Sequence, residues 1–395
     1  MKKMILAHKI QLDPNNSQKH YFAKAAGTAR FAYNWALEEW GRQYSVGFKV
    51  TESSLRRQLN AIKHEKYPWM LEVTKCAAQL AIMNLGRAFA NYFNKLSDYP
   101  QYHKKWRHDS FGISNDQFKI DGRKICIPKL GWVRMTEELR FAGKIMGAVV
   151  SRTAGKWFVS VQVVLPEAEP IHQHHNIDSA VGIDLGVQNL AVLSNGAKVA
   201  GAKAYKALRP RIRRLSKSLS RKTGGRKGEC KSKNYIRAQI KLAGLHARIA
   251  NIRKDETHKL TSMITKNYSI IGIEKLNIAG MLKNHRLARS ISDMSFFEFR
   301  RQIEYKSKMT GSKLNIADWH YPSSKLCSTC GYKMEGDLPL SIREWECPIC
   351  KSHHDRDINA AINLKNNAVS YTVSACGELV SVTTSTKQEL SNQSG

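Results

Sequence analysis

No apolar run in this chain approaches the roughly 20 residues of a membrane-spanning helix, and no basic amphipathic terminus offers a surface anchor. The opening MKKMILAHKIQLDP starts with two lysines, Lys2 and Lys3, as a secretory leader does. Its apolar stretch, Met4 to Ala7, ends at His8 and Lys9, too short for a leader's core. Acidic residues are scarce: 32 Asp plus Glu stand against 64 Lys plus Arg, a formal net charge of +32. Cys76, Cys126, Cys230 and Cys376 are scattered singly and read as free thiols, not a disulfide framework. No internal repeat is visible. These absences point to a cytosolic protein with no membrane partner.

What is present fits a folded polyanion binder. The 395 residues suffice for two or three domains, and 42% hydrophobic content is that of a folded chain. So basic a particle repels itself unless a polyanion neutralises it. Nucleic acid is the usual partner, through phosphate contacts that release counterions; an anionic membrane surface is the competing reading.

Along the chain, Met4, Leu6, Ile10 and Leu12 share one parity and predict an opening strand. From Ser17, taken as an N-cap, to about Leu96 the spacing is helical. One helix starts there, a second follows Thr51, and a third covers WMLEVTKCAAQLAIMNLGRAFANYFNKL. Trp35, Trp40, Trp69, Phe89, Tyr92 and Phe93 are expected in the core rather than on a base-stacking surface. Residues 97–113 form a basic, aromatic loop. Short strands follow, with turns at Asp121-Gly122 and Ala154-Gly155, and with the first strand they are expected to close a small barrel. The Pro- and His-rich stretch 166–180 reads as a linker, and its histidines lack a second ligand cluster.

Beyond it, AVGIDLGVQNLAVLSNG gives two apolar strands, and residues 201–240 hold fourteen Lys or Arg against one acid, Glu229. A long helix, the strand NYSIIGIEKLNI, the helix FFEFRRQIEYKSKMTG and the strand SKLNIADWHY follow. Alternating elements of this kind imply a mixed α/β sheet covered by helices.

Two constellations carry chemistry. Cys327-x2-Cys330, sixteen residues, then Cys347-x2-Cys350 has the spacing of a four-thiolate zinc ribbon, its knuckles helped by Gly331 and Pro348. A redox dithiol or accidental pairing are the alternatives. Asp184 and Glu274 end apolar strands, and Asp357 starts a helix in HHDRDINAAINL. Singly, each such acid is ordinarily a cap or an ion-pair partner. Three in one α/β domain of a chain at +32 suggest a centre where a pair of Mg²⁺ ions holds the acids together and activates water against a phosphodiester.

The stretches GIDLGVQNLAV, IIGIEKLNIAGM, YPSSKLCSTCGY and ECPICKSHHDRDINAAINL resemble the TnpB (OrfB) family of transposon-encoded, RNA-guided DNA endonucleases, related to type V CRISPR effectors. Upstream, HKIQLDPNNSQKHYFAKAAGTARFAYNWAL and FKIDGRKICIPKLGWVRM resemble the family's helix-turn-helix-like region and barrel, so the likeness covers nearly the whole chain. The resemblance implies an α/β RNase H-like (RuvC-type) nuclease domain, residues 181–322 and 356–370, with an inserted four-Cys zinc ribbon at 323–355. A small β-barrel, 1–14 and 114–166, interrupted by a helical domain at 15–113, precedes it. A linker at 167–180 and a disordered tail at 371–395 complete the division. It further implies that Asp184, Glu274 and Asp357 are the acidic triad and Mg²⁺ ligands, with Asp355 in a supporting role. Cys327, Cys330, Cys347 and Cys350 hold zinc, and the ribbon orients Asp357 seven residues after Cys350. Guide RNA and target double-stranded DNA are the implied partners, one protein copy per RNA.

Backbone contacts are expected from Lys104, Lys105 and Arg107, and from Arg211, Arg213, Arg214, Lys217, Arg221 and Lys222; any one of these is otherwise a solvated charge. Three other readings compete: an RNA-guided binder without cleavage, a strand-transfer transposase without a guide, and a plain zinc-ribbon binder.

Overall fold

A computed structural model of the chain describes residues 4–105, 107–165, 179–224, 230–336, 338–339 and 342–376. It divides into two compact units, residues 1–168 with 239–244 and residues 169–238 with 245–395.

In the first unit β1 (Ile5–Asp13) is followed by three helices, α1 (Asn16–Ser45), α2 (Glu52–Lys66) and α3 (Lys75–Phe93). Then come β2 (Ser110–Ser114), β3 (Lys119–Asp121), β4 (Lys124–Ile127), β5 (Gly131–Met135), β6 (Lys144–Thr153) and β7 (Lys156–Val164). The expected alternation in β1 is real and includes His8, which is buried with Ile10 and Leu12 instead of interrupting the strand. The first helix starts earlier than expected. Asn15, not Ser17, is the cap, because its side chain accepts from Gln18 N–H while the Gln18 side chain accepts from Asn15 N–H. Thr51 caps α2 as predicted. The third predicted helix is two pieces. Pro68–Glu72 makes a short 3-10 turn, and Thr74 then caps α3.

The seven strands form one sheet in the order β2-β6-β7-β1-β5-β4-β3. β1 joins its halves, pairing with β7 from Ile5↔Val164 to Gln11↔Phe158 and with β5 at Leu12↔Met135. The β6–β7 turn sits at Ala154-Gly155, both left-handed (φ 50° and 81°), which matches the twist of the flanking strands. Trp157, Val159, Val161 and Val163 on β7 bury one face under the helices, with Phe22 of α1 against Trp157 at 5.2 Å between ring centroids.

The aromatic expectation fails in half its members. Trp40 and Phe89 are buried and Trp35 partly so, but Trp69, Tyr92 and Phe93 are exposed. Trp69 lies in the 3-10 turn, and Tyr92 and Phe93 are the last two residues of α3, so helical spacing overstated their burial.

The second unit runs β8 (Ala180–Asp184), β9 (Ala191–Leu193), β10 (Lys198–Val199), α4 (Ala204–Ser220), α5 (Lys233–Asn267) and β11 (Ile270–Glu274). It continues with α6 (Ile278–Leu282), α7 (Ala288–Met294), α8 (Phe296–Thr310), β12 (Lys313–Ala317), β13 (Glu344–Glu346), β14 (His353–Asp355) and α9 (Arg356–Cys376). Gly311 ends α8 in the left-handed conformation, the stop its position predicts. The main sheet has the order β10-β9-β8-β11-β12, with β8, β11 and β12 parallel and β9 antiparallel to β8. Val181, Ile183, Ile271 and Ile273 bury one of its faces against Phe296, Phe299 and Ile303 of α8 and Leu260 and Ile264 of α5.

Helix α9 crosses β8 and β11 unusually closely. Gly182 and Gly272 are partners in register on the two strands. A methyl group at Gly182 would stand 1.8 Å from the Ala361 carbonyl oxygen, and one at Gly272 2.2 Å from that of Leu364. Only glycine leaves room for a helix backbone there. The linker expected at 167–180 lies almost wholly outside the described residues, as do its histidines. Of the expected tail, α9 occupies 371–376 and the remainder lies outside them too.

Candidate active site

Asp184 is the last residue of β8 and Glu274 the last of β11. Because Ile183 pairs with Ile273, the two acids end adjacent parallel strands at the same level. Asp357 arrives from the other direction. Ala361 of α9 sits on Gly182; one turn up the helix is Asp357, two residues along the strand is Asp184. Each acid is half-buried. Burial, then the Glu274 and Asp357 carboxylates, push the Asp184 pKa well above its ordinary value, against the opposing pull of Arg356 and Arg343. Burial raises Glu274 to about 7, although Leu185 N–H donates to its Oε1 at 3.4 Å. The Arg343 guanidinium donates to both oxygens of Asp357, at 3.1 and 3.3 Å.

The two aspartates of DRD divide their work. Asp355 Oδ1 accepts from the N–H groups of Asp357 and Ile358, at 3.0 and 3.1 Å, and so caps α9. Its Oδ2 holds Lys198 Nζ at 2.7 Å. These hydrogen bonds keep its carboxyl below the ordinary range, against burial, which acts the other way. Asp355 is thus committed to the helix start, while Asp357 faces the strand-end acids.

The four cysteines converge as their spacing predicts. Their four sulfurs all lie within 4.8 Å of one another, close enough to share one ion. Cys327 and Cys350 sulfurs are 3.6 Å apart, as are those of Cys330 and Cys347. A zinc tetrahedron with bonds of about 2.3 Å needs sulfurs about 3.8 Å apart, whereas a disulfide needs about 2.05 Å. Gly331 closes the first knuckle with φ 75°; the second is closed by Lys351, with φ 58°, not by Pro348. Ser352 draws the Cys350 thiol down to about 6 through its hydroxyl and its N–H, whereas, against the Tyr332 backbone hydrogen bond, burial and the neighbouring cysteines push Cys330 up to about 12.

Sequence reasoning missed three residues here. His354 is buried with Nε2 3.1 Å from Cys327 Sγ, hidden behind a motif that looks complete with four thiols. Asn359 and Asn363, one turn apart on α9, are buried and bind the ribbon's backbone. Asn359 donates to Leu326 O and accepts from Ser328 N–H, and Asn363 donates to Ser323 O and Leu326 O. The i,i+4 asparagines of NAAIN were the available signal. They clamp the first knuckle to the helix carrying Asp357, while β14 leads straight into that helix. If the cysteines hold zinc, a thiol-modifying reagent should therefore release it stoichiometrically and loosen α9 along with the knuckles. Hydrogen exchange at residues 356–360 checks this, and protection unchanged after zinc release would refute the coupling.

The predicted basic contacts fall in two places. Lys104, Lys105 and Arg107 are exposed beyond α3 in the first unit. Arg211, Arg213, Arg214 and Lys217 are exposed on α4, Arg221 is exposed at its C-terminal cap, and Lys222 is half-buried. Helix α4 lacks a cap of its own; Asp293 supplies one, accepting from Tyr205 and Lys206 N–H while paired with Arg253. The first unit also holds a groove of about 440 Å³, with Arg56, Asn60, Lys63, Lys75, Gln79 and Lys129 among its lining residues. Among the described residues no helix is long and apolar enough to cross a membrane.

Comparison with known proteins covers nearly the whole chain. Residues 160–285 match an OrfB family model described as "Probable transposase", residues 296–364 a Cas12f1-like TNB domain, and residues 1–48 the family's helix-turn-helix domain. A protein of Streptomyces pristinaespiralis named "Putative RNA-guided DNA endonuclease" is 34% identical over 96% of this chain and 92% of its own. InsQ of Escherichia coli K12, with the same description, is 31% identical over 98% of both. Among solved structures, a Cas12f1 captured with sgRNA and target DNA superposes with a TM-score of 0.58 at 16% identity, covering 89% of this chain and 83% of that one, which shows a shared fold.

Proposed function

The chain belongs to the TnpB (OrfB) family of insertion-sequence proteins, and from that premise we propose that it is an RNA-guided endonuclease that hydrolyses both strands of target DNA. The observation that carries the chemistry is the placing of Asp184 and Glu274 at the ends of paired parallel strands, with Asp357 acting on Asp184 from α9. The finer fold belongs to the same proposal: an RNase H-like sheet bearing the acids, a zinc ribbon inserted before its last helix, and a small barrel interrupted by helices.

Carboxylate oxygens are the ligands Mg²⁺ prefers, and mutual repulsion at Asp184 is what divalent charge relieves, so the donor set fits this ion. Bound there as a pair, Mg²⁺ would supply Lewis acidity and an activated water. The chain's own residues do the rest. Asp184 and Glu274 present their oxygens from rigid strand ends, Asp357 closes the site from α9, and Asp355 and the two asparagines fix that helix.

Substrate binding is assigned to the basic residues. Those at 104–107 and 211–222 take phosphates of guide RNA and DNA, one protein copy per RNA, in the cytosol where both are found. The cationic, amide-bearing groove of the first unit suits the edges of a short duplex motif beside the target, the rest of the sequence being read by RNA–DNA pairing. The test is to sequence RNA that co-purifies with the protein, then change its guide segment. Cleavage should move to the new complementary site. Strand transfer without a guide, or cutting that ignores the change, would remove the proposal. Binding should also weaken about 10³-fold or more between 50 and 200 mM salt if six or more phosphates are neutralised; a nearly flat titration would count against so large a polyanion interface.

A further inference from the structure

The exposed rings at the end of the first unit's helices form an ordered cluster. Tyr44, next to last in α1, is 62% exposed, and Phe93, last in α3, is 53% exposed. Their ring centroids lie 6.5 Å apart; Tyr92 lies 5.4 Å from Phe93, and Tyr99 lies 5.3 Å from Tyr92. The cluster is rooted in the core: Phe93 stacks on Phe89 at 6.0 Å, and Phe89 stacks on Trp40 at 4.1 Å. Rings so held lose little freedom on binding a flat partner. The segment after α3 is pinned as well, with His103 stacked on Tyr33 at 3.8 Å and its N–H and C=O both bonded to the Asn34 side chain.

Charge selects the partner. Residues 42–49 and 91–108, which carry this cluster, hold Lys49, Lys95, Lys104, Lys105 and Arg107 against one acid, Asp98, while Arg42 is paired with Glu39. A second copy docking face to face would set these cations against their own images, a costly juxtaposition. Unpaired nucleotides satisfy both features, since every base has a face to stack on a ring and a phosphate to meet a cation.

We propose that Tyr44, Tyr92, Phe93 and Tyr99 form a stacking platform for unpaired nucleotides, supplied by the guide RNA or by the DNA strand that pairing displaces. The identity of those two sources rests on the function proposed above; the platform itself does not.

The test uses the full chain in which both Tyr44 and Phe93 are replaced, once by alanine and once by leucine. Leucine keeps apolar volume and removes the aromatic face. Fluorescent single-stranded RNA, single-stranded DNA and duplex DNA of equal length are titrated at 200 mM salt, and self-association is followed by sedimentation. Both variants should bind single strands 10- to 100-fold more weakly, with duplex affinity unchanged, and the strand type showing the larger loss identifies the source. Leucine restoring full affinity, equal losses for single strands and duplex, or loss of a dimer with single-strand affinity intact would each overturn the platform. The titrations read binding alone, so they decide the platform even for a nuclease that does not cut.

Discussion

Asp184→Ala is expected to lower target cleavage by about a thousand-fold or more while leaving target binding within about twofold of the parent. Asp184 ends β8 beside Glu274 and carries the burial and like charge that a divalent cation offsets. On the mechanism proposed above, losing a carboxylate that would hold the metal removes several kcal/mol of transition-state stabilisation, and each 1.36 kcal/mol is tenfold in rate. Binding survives because the cations assigned to the nucleic acid lie elsewhere, at 104–107 and 211–222. Single-turnover cleavage and filter binding on the same preparation separate the two effects. Undiminished cutting by this variant would end the assignment of the acids.

Gly272→Ala is expected to do the next largest harm, from a strand position packed under α9. The added methyl would meet the Leu364 carbonyl oxygen at 2.2 Å, and backbone cannot swing aside as a side chain can. Overpacking of this kind costs about 3 kcal/mol, or roughly 6–12 °C in the midpoint of a unit this size. The larger effect should be on rate: α9 lifted by about 1 Å carries Asp357 with it, and such misplacement costs about 100-fold. Gly41→Ala and Gly244→Ala are the controls. Both glycines lie within helices with nothing in the way of a methyl group, so each substitution should be neutral or stabilising by up to about 1 kcal/mol. Equal melting and cleavage for Gly272→Ala and the controls would show that the close approach of α9 is not required.

The two glycines also show where sequence reading stops. VGID and IIGIE were legible as apolar strands ending in acids, because period and composition are local properties. That Gly182 and Gly272 face each other across a strand pair, and that α9 lies on both, depends on register between segments about 90 residues apart, which no local pattern carries. The cysteines were legible because thiols at CxxC spacing have few other uses; His354 was not, since a histidine in a short strand has many and nothing local separates it from His353. Asn15 was passed over for Ser17 because both are capping residues, and only Gln18 in reach of Asn15 decides between them. The aromatics failed for a similar reason. Helical spacing says which residues share a face, but not where along the helix its cover ends, and for α3 the cover ends before Tyr92.

The order of the parallel strands has a consequence for how the molecule is born. β8 meets β9 after a short turn, but its other neighbour, β11, follows only after α4 and α5 have been made. On a ribosome adding about 5–20 residues per second, Val181 and Ile183 therefore wait several seconds for half of their shelter. During that interval the β8–β9–β10 meander presents an open edge, the kind of surface on which chaperones act and aggregates start.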